Sequence, residues 1–280
     1  MDNKIELRGL SKHYHSFSLD GLSFSVPKGY ITGFIGRNGA GKTTTLKALL
    51  SLIHAEGELL IDGGPVSSLE YLEKVGIVMD EPFLATEWDM DLVNRAMRLG
   101  YKGWDEASFF RYLERFSISR RLKVKELSRG MRIKLMLSCA LSHGADLLIL
   151  DEPTSGLDPM MRDEFVDLIK EFVEDENRTV LFSTHITQDL EAVADFIVFI
   201  DEGHLVRACS KDAFVDSYRV LRGDRALPDR LGAGLTLGAK VSSVGAEVLV
   251  ERDTPCPAGM DVLSEVPTIE KIMTLYGRTK

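Results

Sequence analysis

The chain has 280 residues, of which 44% are hydrophobic, 28% charged and 8% aromatic, and its 34 basic and 43 acidic side chains leave a net charge of −9. This composition supports one or two domains with a real core and excludes disordered, collagen-like and fibrous classes. The acidic balance argues against a protein that coats nucleic acid or an anionic membrane.

No apolar run approaches the ~20 residues of a spanning helix, and the opening MDNKIELRGL has no apolar signal core. Cys139, Cys209 and Cys256 are widely spaced and fit packing or surface thiols in a reducing compartment. The expectation is a cytoplasmic, non-spanning protein whose partners are met at local sites.

In chain order, the apolar runs Ile5-Leu7, Leu22-Val26 and Tyr30-Ile35 are separated by Gly9, Asp20-Gly21 and Pro27-Lys28-Gly29, a pattern of strands joined by tight turns. Next comes Gly36-Arg37-Asn38-Gly39-Ala40-Gly41-Lys42-Thr43, which satisfies G-x-x-x-x-G-K-[ST] in the strand-to-helix setting that the motif needs. Leu46, Leu49, Leu50 and Ile53 supply the helix spacing behind it. Such a loop turns successive backbone N–H groups and a helix N-terminus toward a phosphate. Lys42 would reach the β and γ phosphates, and the Thr43 hydroxyl would ligate Mg²⁺.

After a strand pair at Gly57-Ile61 and Gly76-Met79, residues 87–145 read as several helices, an insertion with few internal Gly or Pro. The strand Leu147-Leu150 ends in Asp151-Glu152. Strand alternation sends these two carboxylates in different directions, so Asp151 can face a metal while Glu152 serves a water as general base. Phe165, Leu168, Ile169, Phe172 and Val173 share one helix face, and Thr179-Ser183 and Phe196-Ile200 add two buried strands of a parallel sheet. From about residue 216 the chain turns Gly-rich, with short strands at Lys240-Val241, Glu247-Val250 and Val262-Val266 and a closing helix at Ile269-Tyr276.

The expected fold is therefore α/β: a P-loop NTPase (RecA-like) core, an antiparallel β layer, a helical insertion at about 81–145 and a small C-terminal α+β appendage. The expected division is 1–215 and 216–280.

Leu127-Ser128-Arg129-Gly130-Met131, about twenty residues before Asp151-Glu152, resembles the LSGGQ signature of ABC transporter ATPases. The stretch LSRGMRIKLMLSCALSHGADLLILDEPTSGLDP follows that family's pattern throughout, and the resemblance covers roughly residues 3–215. It implies that Gly36, Arg37, Asn38, Gly39, Ala40, Gly41, Lys42, Thr43 and Thr44 cradle ATP, with Tyr14 stacked on the adenine. It gives Ser155-Gly156-Leu157-Asp158 a place against a partner subunit and His185 a contact with the γ-phosphate.

Ser128 also reads as an N-cap, so that its hydroxyl, Gly130 and the helix end offer an anion site. In the family this site closes on ATP held by the other subunit, which implies a head-to-tail pair with a second copy or a homologous ATPase subunit. An integral membrane permease subunit and peripheral attachment to the cytoplasmic face of the membrane are likewise implied. No nucleic acid is expected.

Two departures stand out. Arg129 and Met131 replace Gly and Gln, a form similar to export-type, drug- or peptide-resistance ATPases. Asp80 aligns with the family's Gln, and a carboxylate about 4 Å from a phosphate charge costs on the order of 4 kcal/mol at an effective dielectric of 20, so it must meet Mg²⁺, take a proton or turn away. Residues 111–134 carry nine basic groups against Glu114 and Glu126. Such a run is ordinarily a solvated helix face, and its functional version is a positive field near the partner's ATP or an anionic membrane.

Two other readings compete with a transporter subunit. A soluble ABC-type ATPase, a mechanochemical switch on ribosomes or DNA, usually has two cassettes or a long coiled-coil insertion. A P-loop kinase would lack the signature and His185.

Overall fold

The computed structural model describes residues 2–79, 83–232, 234–256 and 261–278. They divide into two compact units, one of residues 1–185 with 193–208, the other of residues 209–280 with 186–192.

The first unit opens with β1 (Asn3–His13) and β2 (Ser18–Pro27), continues through β3 (Ile31–Ile35), α1 (Lys42–Leu49) and β4 (Glu56–Ile61), and passes a two-residue β5 (Gly64–Pro65) to β6 (Val75–Val78). Three helices follow, α2 (Met90–Gly100), α3 (Glu106–Arg115) and α4 (Arg129–Leu141), then β7 (Leu147–Asp151), α5 (Pro159–Val173) and β8 (Thr179–Thr184). Beyond α6 (Thr187–Val193), nearly all of which belongs to the second unit, come β9 (Phe196–Asp201) and β10 (His204–Ser210), whose last two residues fall in the second unit.

The central sheet has the order β10-β9-β3-β8-β7-β6, with β6, β7, β8, β3 and β9 parallel. Every residue of β3, β7 and β8 is buried, the signature of parallel strands covered on both faces. A second, antiparallel sheet, β2-β1-β4-β5, lies over it, and Ile5, Leu22, Phe24 and Ile61 join Leu46, Leu49, Phe34 and Ile149 in one core. The buried Lys4 ammonium ties the layers, donating to Asp62 of the turn after β4 and to Asp146 before β7, each at 2.6 Å.

Helix starts follow local capping chemistry. Asp89, Asp105, Ser128 and Asp158 each accept a backbone N–H two or three residues into α2, α3, α4 and α5, and Pro159 occupies the first position of α5. The capping read for Ser128 is thus present. In contrast, α1 stops at Leu49, short of the expected Ile53, because Ser51 adopts φ 54°.

The basic run over 111–134 is largely paired: Arg115 with Glu171, Arg120 with Asp91, Lys123 and Lys125 with Glu87, Lys134 with Glu164. These pairs are mostly exposed, as a solvated face requires.

Besides α6, the second unit contains α7 (Lys211–Asp216), β11 (Tyr218–Gly223), α8 (Leu227–Leu231), β12 (Gly238–Val241), β13 (Ala246–Glu251), β14 (Leu263–Glu265) and α9 (Ile269–Leu275). Its antiparallel sheet runs β12-β13-β11-β14 over a core of Leu221, Leu227, Leu231, Val248 and Val250. Strand β11 is the sheet's link to β14, and the sequence hid it: Arg219 and Arg222 interrupt its apolar alternation.

Candidate functional site

Parallel pairing aligns the carboxyl ends of three strands. Ile35 lies opposite Thr184 and Asp151 opposite Ser183, so the loop after β3, the acidic end of β7 and His185 after β8 meet at one edge of the sheet. Ligands of open α/β sheets bind at such strand ends. Here the edge opens into a cavity of about 860 Å³, of a size for a nucleotide, whose walls include Asn38, Gly39, Gly41, Lys42, Thr43, Thr44, Asp151, Glu152 and His185. Sequence segments more than a hundred residues apart thus form one site.

The loop Gly36–Gly41 wraps the base of α1. Gly41 is the helix N-cap with φ +109°, and a Cβ there would stand 2.5 Å from Leu19 Cδ2, so both the turn and the packing require glycine. Ala40 N–H donates to Arg37 O at 3.1 Å, closing the loop. Lys42 is buried and folds back, its Nζ donating to Gly36 O at 2.7 Å and to Arg37 O at 3.4 Å. Gly36 abuts Ile200 at the end of β9, beside Asp201, whose carboxyl is lifted above the usual range by burial, against the opposing pull of Arg37.

Asp151 and Glu152 diverge as expected, but not by strand alternation: β7 ends at Asp151, and the left-handed φ of +50° at Glu152 turns its side chain away. Asp151, buried, accepts from Thr43 Oγ1 at 2.8 Å and from Ser183 Oγ at 2.6 Å. Glu152 turns the other way: Oε1 is 3.5 Å from Lys42 Nζ and Oε2 is 2.6 Å from His185 Nδ1. Its φ of +50° is rare for a residue with a side chain and is held by its N–H donating to Ser183 O at 2.9 Å. The arrangement joins a phosphate-type loop, two hard oxygen donors 2.8 Å apart, and a carboxylate braced by two cationic or protonatable partners.

Other expected residues lie elsewhere. Tyr14 is half-exposed with Lys12 Nζ 5.5 Å from its ring centroid and is not among the cavity walls, whereas Phe17 is. Ser128 caps α4, and Gly130 packs against the Met161 thioether. Asp158 caps α5 outside the cavity, its Oδ1 accepting from Met161 N–H at 2.9 Å. Asp80 lies outside the described residues. Phe17, Ser155 and Arg129 are cavity residues to which the sequence reading gave no nucleotide contact in the same chain.

The family model described as ABC transporter matches residues 19–155. The lantibiotic transport ATP-binding protein SrtF of Streptococcus pyogenes is 32% identical over 209 residues, 72% of this chain and 89% of that one. The Nod factor export ATP-binding protein I of Burkholderia orbicola is 34% identical over 225 residues, 76% and 73% of the two chains. A solved structure described as the ATP binding subunit of an ABC transporter superposes with a TM-score of 0.66 at 28% identity, covering 75% of this chain and 90% of that chain. With the P-loop NTPase fold and this site, the chain belongs to the ABC transporter family as an ATP-binding, ATP-hydrolysing subunit.

Proposed function

We propose that this chain binds ATP with Mg²⁺ in the cavity at the strand ends, pairs head-to-tail with a second copy or a homologous ATPase subunit, and drives export through a separate integral membrane subunit on whose cytoplasmic side it sits. The observation that carries the reading is the convergence of Lys42, Thr43, Asp151, Glu152 and His185 on one cavity. The export direction is supported by the relatives named for lantibiotic transport and Nod factor export. No helix among the described residues is long and apolar enough to cross a membrane.

Thr43 and Asp151 would hold the Mg²⁺, for their oxygens are hard donors already side by side. When bound, the ion offsets charge on the phosphates. Lys42 leaves Gly36 O for the phosphates, exchanging a neutral acceptor for a charged one. Glu152 takes the proton of the attacking water, and His185 holds that carboxylate while reaching the terminal phosphate. Ser128 and Gly130, at the start of α4, and Asp158, at the start of α5, would face the partner's nucleotide. Residues 216–280 would serve as an accessory region.

The test is ATPase activity and calorimetric ATP binding for the wild-type chain and Lys42→Ala, together with co-purification of a multi-span membrane protein. ATP affinity unchanged in folded Lys42→Ala refutes the site. Failure of any membrane protein to co-purify favours the soluble switch instead.

A further inference from the structure

Ser183 puts a hydroxyl into a strand that is otherwise built to be covered. Strand β8 reads Thr179-Val180-Leu181-Phe182-Ser183-Thr184, and every residue of it is buried. A buried hydroxyl must find a partner, and the partner decides what it does there. We propose that Ser183 is a positioning residue of the metal site: its side chain holds one oxygen of Asp151 and leaves the other turned to Thr43. This rests on the reading of Thr43 and Asp151 as the holders of Mg²⁺ and adds the group that orients the carboxylate.

Three observations carry the assignment. The first is register. Ser183 lies opposite Asp151 in the parallel pair of β7 and β8, and two residues earlier Leu181 lies opposite Ile149. Leu181 and Ile149 share the core with Leu46 and Leu49 of α1. Strand alternation brings Ser183 and Asp151 to that same face, one step nearer the strand ends, where α1 begins at Lys42 and Thr43.

Second, the two oxygens of Asp151 are divided between two donors. Ser183 Oγ donates to Oδ1 at 2.6 Å, and Thr43 Oγ1 donates to Oδ2 at 2.8 Å. The terminal torsion of an aspartate is soft, so an unheld carboxylate can rotate about it. Held at Oδ1, the group keeps Oδ2 beside the Thr43 oxygen.

Third, the main chain of the same residue serves the neighbouring carboxylate. Ser183 O accepts from Glu152 N–H at 2.9 Å, immediately after β7 ends. The hydroxyl thus meets Asp151 and the carbonyl meets Glu152. A change of side chain removes the first contact and keeps the second, which makes the two separable by mutation.

The chemistry suits the position. Carboxylates that bind metals are themselves held by outer hydrogen bonds, and loss of such a partner costs roughly 10- to 100-fold in metal affinity or activity. A hydroxyl orients Asp151 without adding charge, whereas an ammonium or guanidinium in its place would repel a divalent ion. The phosphate loop touches the nucleotide directly, so the effect of Ser183 belongs to the metal alone.

The experiment loads the full chain, in excess, with a non-hydrolysable ATP analogue and titrates Mn²⁺, the paramagnetic substitute for Mg²⁺, reading its affinity by electron paramagnetic resonance. Calorimetry in EDTA measures binding of the analogue without metal. Ser183→Ala should weaken Mn²⁺ binding by about tenfold or more and change metal-free binding of the analogue by less than about twofold. Ser183→Cys, a weaker donor of similar size, should fall between Ser183→Ala and wild type. Because Ser183 acts through Asp151, Ser183→Ala combined with Asp151→Asn should bind Mn²⁺ no more weakly than Asp151→Asn alone.

Wild-type Mn²⁺ affinity in folded Ser183→Ala would overturn the proposal, as would additive losses in the double variant. An equal loss of metal-free binding would make Ser183 a support of the strand end and overturn it too. If Ser183→Ala does not fold, Ser183→Cys decides, and wild-type Mn²⁺ affinity there overturns the proposal. Asp151→Asn with wild-type Mn²⁺ affinity refutes Asp151 as the metal holder, whereas an Asp151 effect that Ser183 variants do not share refutes the role of Ser183 alone.

Discussion

His185 and Glu152 are locked together at the cavity: Nδ1 lies 2.6 Å from Oε2, and the His185 backbone N–H donates to the same oxygen at 3.2 Å. The carboxylate's other oxygen looks toward Lys42, so one side chain is held between the ends of two strands and the phosphate loop. This bracing lets Glu152 keep φ +50°, a conformation costing on the order of 1–2 kcal/mol in an unconstrained residue.

Glu152→Gln keeps the shape and removes the base. Hydrolysis should fall by ~10²–10⁴ while ATP binding persists, and the ATP-bound pair should accumulate on gel filtration with Mg²⁺. His185→Ala should lower turnover with less effect on ATP affinity, because the carboxylate loses its holder. Single-turnover hydrolysis and calorimetry separate the two effects. Normal turnover in Glu152→Gln would remove Glu152 as the base.

Base stacking divides the next pair of variants. Phe17 borders the cavity and touches Gly41, while Tyr14 stands half-exposed beside Lys12. If the cavity's aromatic wall holds the adenine, Phe17→Ala should weaken ATP binding by about tenfold, within the ~1–3 kcal/mol of an aromatic–base contact. Tyr14→Ala should then cost less. The reverse order, measured by fluorescence titration, would return the adenine to Tyr14.

What the sequence made legible was local. The G-x-x-x-x-G-K-T spacing, the opposite directions of Asp151 and Glu152, and the cap at Ser128 each depend on a few consecutive residues, and each is present. The hidden features depend on distant partners. Arg129 stands out in the sequence as a departure from the signature and as one of a basic run, but its closeness to Gly156 is not local, and Phe17 does not stand out because Gly41 meets it from beyond the hairpin. Likewise, the basic residues of 111–134 look unbalanced because Glu171, Asp91, Glu87 and Glu164 lie outside that stretch. Strand β11 escaped because its charged positions serve cross-strand pairs, Arg222 with Glu247 and Glu265.

Lys4 supplies a stability prediction. Its ammonium is 1% exposed and bridges Asp62 and Asp146, which are themselves partly solvated. Lys4→Met should destabilise the first unit by about 2–3 kcal/mol, less than the loss of a fully buried pair, because water takes up part of the carboxylates' charge. Lys4→Met combined with Asp146→Asn should cost less than the sum of the two single changes. Urea midpoints measure both, and strict additivity would show that the Lys4–Asp146 contact contributes nothing.

His143 makes stability depend on acid. Its ring stacks on Tyr101 with centroids 4.0 Å apart and planes 22° from parallel, and Nδ1 donates to Cys139 O at 3.0 Å near the end of α4. Burial pushes its pKa below the ordinary 6.5, against the raising effects of its hydrogen bonds and of Glu73. A histidine whose folded pKa is depressed binds its proton more readily when unfolded. Its stabilising contribution is therefore complete above about pH 6.5 and is lost as the pH falls through that value toward the folded pKa, by at most ~1.4 kcal/mol per pH unit for one proton. His143→Phe keeps the stacked ring and removes the titration. Urea unfolding between about pH 5 and 7.5 should show a shallower acid loss for His143→Phe than for wild type, while Tyr101→Leu, which leaves the imidazole buried without its stacking partner, should lower stability at every pH and keep the wild-type slope. Parallel curves for wild type and His143→Phe would assign the acid sensitivity to other groups.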